Sequence, residues 1–448
     1  MLLGTQKIND KGHLEVGGCD TVDLVKHFGT PLYVMDEAAM REQCRAYRTA
    51  FESRYPQVEV CYAGKALLTT AICRIIDLEG MSLDVASPGE MYTALRADFP
   101  RERMYFHGNN KSAKDLEFAI EAGVGHIVAD NLLEIGMIED LARKFDQKVN
   151  ILIRVTPGVD PHTHRFIRTG QSDTKFGLNI KSGDAMAGVK KALDASFIKL
   201  RGYHCHVGSQ LLDFEPMVQG AQALVDFAAD VQKETNFTPE VLNIGGGLGV
   251  RYLESHKTPS INDFAEAATN ALKDAIKKQK LPTPLLLLEP GRSIVGEAGL
   301  TLYTVGSIKT VAISEKPGSR MYVAVDGGLS DNPRPTLYDA VYTVISANKA
   351  NAPADTVVTI AGKHCETDIL VRDTAIAKPE TGDVLAVLTT GAYNYAMSSN
   401  YNRFIRPAMV LVNEGKADLI VEREILDDLV RHDRLPDRLQ SLTKADNA

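Results

Sequence analysis

Short apolar runs alternate with longer amphipathic stretches between residues 58 and 288. Eight runs have the length and composition of buried strands: 58–63, 82–85, 104–106, 126–128, 149–155, 200–204, 241–244 and 285–288. Helical patterns lie between them, for example at 114–122 and 265–278. Strands that alternate with helices predict right-handed βαβ units and a parallel sheet. The eight repeats favour a closed (β/α)8 TIM barrel, and an open doubly wound sheet is the alternative.

The pattern changes after Gly291. Strand-like runs follow at 300–313, 321–325, 356–360, 384–388, 408–412 and 417–421, with few helical patterns between them. This predicts a mostly β C-terminal domain in an α/β protein. The first 30 residues contain polar turns and a short strand candidate, and we expect them to join the β domain. The expected units are a segment at 1–30, a barrel at 31–293, a β domain at 294–430 and a charged helix or tail at 431–448.

Composition excludes several classes of protein. The 448 residues are 44% hydrophobic and 24% charged, as in ordinary globular proteins, and the net charge of −8 without a basic run argues against a nucleic-acid partner. The N-terminus lacks the basic and apolar regions of a signal peptide, and no apolar stretch reaches membrane-spanning length. Six scattered cysteines without a CxxC pair indicate neither a disulfide framework nor a zinc site. We therefore expect a cytoplasmic protein.

Polar residues lie at or just after the end of nearly every predicted barrel strand. In a (β/α)8 barrel such positions gather at one mouth, where active sites lie. The residues are Lys65, Asp84, those at 107–110, Asp130, Arg154, His206, Gly245, Gly246, Gly247 and Glu289.

Three of these positions suit pyridoxal phosphate (PLP), which needs an amine for a Schiff base, a phosphate site and a charge partner for its ring nitrogen. A lysine after a strand is most often a solvated surface residue, but Lys65 has small and apolar neighbours that should lower its pKa by desolvation. A glycine triplet is often only a tight turn, but a triplet after strand seven stands where barrels bind phosphate. Ser209 can add a hydroxyl there, and Glu289 can keep the pyridine nitrogen protonated.

Asp84 and His206 are candidates to orient the cofactor ring or stack on it. The alternative is ordinary hydrogen bonding within loops, which is as good an explanation for Asp84 and a weaker one for His206. Tyr393 has a simpler interpretation as a core aromatic residue.

The second domain carries candidates for substrate chemistry. Cys365 and Glu366 lie in the polar run Gly362-Lys-His-Cys-Glu-Thr-Asp368. A lone cysteine is usually a small buried hydrophobe, but these surroundings favour an exposed, reactive thiol. Arg334 and Tyr338 of this domain, together with Arg292 at the end of the barrel, offer cations and a phenol suited to a substrate carboxylate.

Taken together, the motifs resemble a known family. They are Tyr62-Ala-Gly-Lys65-Ala, Leu83-Asp-Val-Ala-Ser87, Phe106-His-Gly-Asn-Asn-Lys111, His204-Cys-His-Val-Gly-Ser-Gln210, Asn243-Ile-Gly-Gly-Gly247, Glu289-Pro-Gly-Arg292, Arg334-Pro-Thr-Leu-Tyr338, Gly362-Lys-His-Cys-Glu366 and Gly391-Ala-Tyr393. From about residue 12 to 427 the chain resembles the fold type III, alanine-racemase-like PLP decarboxylases, most closely the diaminopimelate decarboxylases. Leu67 and Thr367 depart from the Asn and Ser of many relatives, and neither departure removes a group that the chemistry requires.

The resemblance implies a role for each matching residue around the cofactor. Lys65 would be the Schiff-base lysine, His206 would stack on the ring, and Glu289 would pair with the ring nitrogen. The phosphate would be lined by Ser209, Gly245, Gly246, Gly247, Gly291, Arg292 and Tyr393.

The resemblance also implies a substrate site. The substrate would be held by Arg292, Arg334, Tyr338, Glu366 and Tyr393, with Cys365 as proton donor to Cα. Cys365 and Glu366 would enter from the second subunit of a homodimer.

The expected reaction is decarboxylation of meso-diaminopimelate to L-lysine. Arginines and a glutamate suit a substrate with a second amino-acid head, whereas ornithine or arginine has no distal carboxylate to bind. A racemase would favour a less protonated ring than Glu289 provides. A PLP-binding protein without activity is a third alternative, although Lys65, Cys365 and Glu366 are all present.

Overall fold

A computed structural model describes residues 1–159, 173–313 and 318–440. Eight parallel strands form a closed barrel, in the order in which they follow one another in the chain. They are Val58–Ala63, Ser82–Val85, Met104–Phe106, His126–Ala129, Val149–Thr156, Ile198–His204, Val241–Asn243 and Leu285–Leu288. The last strand pairs with the first, with Leu286 opposite Val58 and Leu288 opposite Val60. This closure confirms the predicted barrel and excludes the open sheet.

Helices cover the outside of the barrel. They are Glu37–Glu52, Thr70–Leu78, Pro88–Arg96, Ala113–Ala122, Leu132–Lys144, Asp184–Asp194, Glu215–Thr235 and Ile261–Gln279, and the short helix Arg292–Val295 follows the last barrel strand. Local sequence sets their ends. For example, Ser112 and Asp115 form a capping box before Ala113–Ala122, and Gly123 ends that helix at φ 72°.

Alternation along the strands separates two apolar cores. Val60 and Tyr62 pack in the large cluster that includes the helices, whereas Cys61 belongs to a separate cluster. Tyr105, Val128, Leu152, Val241 and Leu287 share that second cluster. Because neighbouring side chains point to opposite faces of a strand, this cluster fills the interior of the barrel.

The second domain is built on a mostly antiparallel sheet. The sheet runs in the order Ile369–Ile376, Thr356–Ala361, Ser319–Val325, Gly299–Ala312, Leu32–Asp36, Ala408–Asn413 and Lys416–Val421. Val384–Leu388 pairs with Gly299–Ala312 and with Val344–Ser346. All six predicted strands are present. Val344–Ser346 and Ile369–Ile376 were missed because the first is short and Arg372-Asp373 interrupts the apolar pattern of the second, next to a register shift.

The predicted boundary of the barrel at residue 31 is wrong by one strand. Leu32–Asp36 pairs with Gly299–Ala312 and Ala408–Asn413 in the second sheet, so the barrel unit begins with the helix Glu37–Glu52. The N-terminal segment forms a small sheet of Lys7–Ile8, Leu14–Val16 and Cys19–Asp20, followed by the helix Thr21–Phe28. Leu14 and Val16 pack in one cluster with Leu300 and Val410 of the second domain.

Two short helices, Leu426–Val430 and Asp437–Gln440, follow the last strand. The predicted tail at 431–448 lies partly outside the described residues, which end at 440. Within the described parts of the chain, every helix is too short or too polar to cross a membrane.

Candidate active site

A cavity of about 390 Å³ opens at the carboxyl ends of the barrel strands, and both domains line it. Its volume lies within the range of small-molecule sites. Nine predicted site residues line the cavity: Lys65, Asp84, His206, Ser209, Glu289, Arg292, Arg334, Tyr338 and Tyr393. The rest of the lining comes from Ala86, His107, Gly108, Asn109, Arg154, Phe176, His204 and Met397.

Lys65 projects into this cavity from the turn that follows the first barrel strand. Gly64 and Ala66 on either side are buried, whereas the Lys65 side chain is exposed to the cavity. The sequence predicted a lowered pKa, and this was wrong. Desolvation does lower the pKa of Lys65, but electrostatic interactions with Tyr393, Asp84 and Glu289 outweigh it and raise the pKa above its usual value.

Glu289 is buried, and three side chains lie close to its carboxylate oxygens. Its Oε1 lies 2.9 Å from His107 Nε2 and accepts a hydrogen bond of 2.6 Å from Asn243 Nδ2, and its Oε2 lies 3.0 Å from His204 Nε2. Burial alone would raise the pKa of Glu289, but the Coulomb and hydrogen-bond interactions with both histidines lower it well below its usual value. The carboxylate is therefore ionised inside the protein.

The two histidines of the sixth strand and its loop stay neutral. Burial lowers the pKa of His204 to about 4, although Glu289 opposes that shift. Burial and the nearby charges of Lys65 and Arg154 lower the pKa of His206 well below its usual value. His206 therefore presents an uncharged aromatic ring to the cavity.

A cationic corner lies between the sixth and eighth strands. Arg292 donates to Ser209 Oγ from Nε at 3.3 Å and from Nη2 at 3.2 Å, and from Nη1 to the Tyr252 hydroxyl at 2.6 Å. The guanidinium carbon lies 4.6 Å from the centre of the Tyr393 ring. This corner has the cation and the hydroxyl that a phosphate requires.

The glycine triplet lies behind the lining formed by the described residues. Gly245 has φ 70°, and a Cβ there would lie 2.5 Å from Cys205 O. A Cβ on Gly246 would lie 1.9 Å from Glu289 O, and one on Gly247 would lie 2.4 Å from Gly208 O. Gly291 is also closely packed, since its Cβ would lie 2.9 Å from Ala63 Cβ. Glycine at these positions lets the loops after strands one, six, seven and eight approach each other.

Arg334 and Tyr338 come from the short helix Arg334–Tyr338 of the second domain. The Arg334 guanidinium carbon lies 5.0 Å from the centre of the Tyr338 ring and 5.6 Å from that of Tyr393. Arg334 is only 5% exposed, and its Nε has no hydrogen-bond partner among the described residues. A buried donor of this kind is suited to a ligand carboxylate.

Cys365 and Glu366 are not brought to the cavity of their own chain. Both lie on an exposed loop of the second domain. The Cys365 backbone N–H donates to Asn402 Oδ1 at 3.0 Å, and Glu366 Oε1 accepts a 2.6 Å hydrogen bond from the Tyr401 hydroxyl.

Comparison with known proteins shows the family to which this chain belongs. Residues 37–296 match the family described as pyridoxal-dependent decarboxylase, pyridoxal binding domain. A diaminopimelate decarboxylase of Bacillus methanolicus is 45% identical over 422 residues, which are 94% of this chain and 96% of the relative. The chain belongs to the diaminopimelate decarboxylase family. A crystal structure of diaminopimelate decarboxylase from M. jannaschii in co-complex with L-lysine aligns with a TM-score of 0.91 at 36% identity, covering 98% of this chain and all of that one.

The residues present fit the cofactor of this pyridoxal-dependent family. An amine, an ionised carboxylate and a neutral aromatic ring line one cavity beside an arginine–serine pair, and the glycine loops leave no room for added side chains.

Sequence reasoning missed the pair of histidines that bind Glu289. His107 was noted only as a residue after a strand, and His204 only as part of a motif. The available signal was the position of both histidines at the ends of barrel strands, which meet at the same mouth as Glu289. The guanidinium carbon of Arg154 lies 4.3 Å from the centre of the Phe176 ring, and Phe176 was not anticipated at all.

Proposed function

We propose that this protein decarboxylates meso-diaminopimelate to L-lysine and CO2 with PLP as cofactor. The observation that carries the proposal is an ionised Glu289 in the same cavity as Lys65 and a buried Arg334. Bound PLP supplies an electron sink for the electron pair that remains at Cα when CO2 leaves.

Each side chain of the cavity has a task in this scheme. Lys65 would hold the cofactor through its amine. Glu289 would keep the ring nitrogen protonated, because the two histidines preserve its negative charge. His206 would pack against the ring, and Asp84 would add a second carboxylate to the ring site. Ser209, Gly245, Gly246, Gly247, Gly291, Arg292 and Tyr393 would hold the phosphate group.

Substrate recognition depends on the distal amino-acid head. Arg334 and Arg292 are buried cations at the cavity, and Tyr338 and Tyr393 pack against them. We assign this group to the distal carboxylate, and Glu366 to the distal ammonium. A substrate without that carboxylate would leave the Arg334 guanidinium buried and unpaired, which is costly.

We further propose a homodimer with shared active sites. Cys365 and Glu366 lie outside the cavity of their own chain, and a two-fold contact would deliver them to the partner's cavity. There the Cys365 thiol would give its proton to Cα after CO2 has left. Lys65→Ala and Cys365→Ala dimers should each be nearly inactive, and activity should return when their subunits exchange. Confirmed exchange without recovered activity would place the whole site within one chain.

A direct assay tests the reaction. The purified protein is incubated with PLP and meso-diaminopimelate, and CO2 and lysine are measured. Epimerised substrate without CO2 would indicate a racemase, and bound cofactor without turnover would indicate a protein that only binds PLP. Cadaverine formed from lysine, or putrescine formed from ornithine, would indicate a different decarboxylase. We assign the protein to the cytoplasm, as expected for a biosynthetic enzyme of lysine.

A further inference from the structure

The loop that carries Cys365 has buried side chains at its two ends and exposed side chains between them. His364 and Asp368 are buried, with 6% and 5% of their surface exposed, whereas Cys365 and Glu366 point to solvent. The two inward residues therefore hold the segment from which the two outward residues project.

The Asp368 carboxylate makes the hydrogen bonds that hold this loop in place. Its Oδ1 accepts a 2.9 Å hydrogen bond from the Leu329 backbone N–H, and its Oδ2 accepts from the His364 backbone N–H at 3.2 Å. The His364 ring nitrogen Nδ1 lies 2.5 Å from the same oxygen. A Cβ on Gly328 or Gly362 would lie within 2.1 Å of Oδ2, so the carboxylate is closely enclosed.

His364 connects the buried Asp368 carboxylate to the exposed residues of the loop. The Ser330 backbone N–H donates to His364 Nε2 at 3.3 Å, so the ring proton is on Nδ1 and points at Asp368. The His364 ring stacks on Tyr401 with ring centres 6.0 Å apart, and the Tyr401 hydroxyl donates to Glu366. The Asp368 backbone N–H also donates to Glu366 O at 2.8 Å.

Residues 328–331, which precede Arg334, also contact Asp368 and His364. Other hydrogen bonds hold this segment independently of that pair. Asp331 accepts hydrogen bonds from the Tyr303 hydroxyl and from the Gly328 N–H, and its carbonyl accepts from the Tyr33 hydroxyl. Loss of the Asp368 carboxylate should therefore displace the loop of Cys365 rather than Arg334.

We propose that His364 and Asp368 are positioning residues that hold Cys365 and Glu366 for the active site of the second subunit. The inference rests on the proposed function, because it takes the two exposed residues to serve the partner's cavity. It predicts that a lesion in one chain damages the cavity of the other chain.

Hybrid dimers separate the two cavities. A Lys65→Ala chain and a Cys365→Ala chain, each with its own affinity tag, are exchanged and purified as holoenzyme hybrids. The one live site then combines Lys65 and Arg334 of the Cys365→Ala chain with Cys365 of the Lys65→Ala chain. Asp368→Asn is added to either chain in turn. The control is Asp355→Asn, an exposed residue of the same domain.

Asp368→Asn on the Lys65→Ala chain should lower kcat of the live site at least tenfold and weaken L-lysine binding measured by calorimetry. On the Cys365→Ala chain, Asp368→Asn should change kcat and the affinity for L-lysine less than twofold. Equal losses in the two hybrids, or the reverse asymmetry, would overturn the proposal and leave the shared site intact. If the parent hybrid itself regains no activity, the shared site fails and the inference fails with it. Should Asp368→Asn not fold, His364→Asn is tested in the same hybrids with the same outcomes.

Discussion

Oε2 of Glu289 lies 3.0 Å from Nε2 of His204, beneath a cavity that also contains Lys65. A carboxylate buried this deeply would ordinarily take up a proton. Here the interactions with His204 and His107 reverse the effect of burial and hold the pKa of Glu289 well below its usual value. The protein thus maintains a negative charge where the proposed cofactor needs one.

Glu289→Gln should lower kcat and kcat/KM together, by on the order of a hundredfold. The amide keeps the shape of the side chain but cannot hold a proton on the ring nitrogen, so the loss falls in the transition state. Steady-state kinetics measure the loss of turnover, and the cofactor content of the purified variant measures separately how much cofactor it retains. The exposed Glu42→Gln variant is the control, and an unchanged kcat for Glu289→Gln would refute the role.

Lys65→Ala should abolish covalent attachment of the cofactor. Borohydride treatment of the holoenzyme should fix the cofactor to the peptide that contains Lys65. It should not fix the cofactor to the peptide that contains Lys111, whose Nζ is bound to Glu134 at 2.6 Å. Because the pKa of Lys65 is raised, the free amine is charged at neutral pH. The rate of cofactor attachment to the apoprotein should therefore increase with pH. Label on another lysine, or normal turnover by the variant, would contradict the assignment.

Arg334→Ala should raise KM for meso-diaminopimelate. The variant loses a charge-assisted pair worth about 1.5–3 kcal/mol, which corresponds to a factor of roughly 10 to 150. Inhibition by L-lysine, which keeps the distal carboxylate, should weaken in parallel. Cadaverine has no carboxylate and serves as the control ligand. If the affinity for lysine and for cadaverine changes equally, Arg334 has a structural role.

Because His126 is buried in its neutral form, the protein should be less stable in mild acid than at neutral pH. The His126 ring stacks on Tyr105 with ring centres 4.5 Å apart, both ring nitrogens are buried, and burial lowers its pKa to about 4. Between pH 6.5 and 4 the unfolded chain binds a proton that the folded chain does not, so stability falls as pH falls.

The His126→Gln variant should flatten this dependence by up to about 1.4 kcal/mol per pH unit in that window. Urea denaturation at several pH values measures the slope. The exposed His432→Gln variant should keep the wild-type slope, and an identical slope for His126→Gln would show that the buried ring does not contribute.

The local pattern of apolar runs and helical stretches was sufficient to predict the barrel and to place many of its site residues. Each strand is a short apolar run between helical stretches, and parallel strands place their carboxyl ends at one mouth. Lys65, Asp84, His206 and Glu289 could therefore be placed together from their positions near the carboxyl ends of strands. The pairing of Glu289 with His107 and His204 could not, because it depends on the directions of side chains from three separate strands.

What the sequence by itself determined is the alternation of strands and helices and the residue types at each strand end, since both depend on neighbours a few positions away. The tertiary structure alone decided that Leu32–Asp36 joins strands more than 260 residues later in the chain. It also decided that the pKa of Lys65 is raised, and it places Cys365 outside the cavity of its own chain, as the resemblance implied. Pairing, charge and access depend on groups that are distant in sequence and adjacent only after folding.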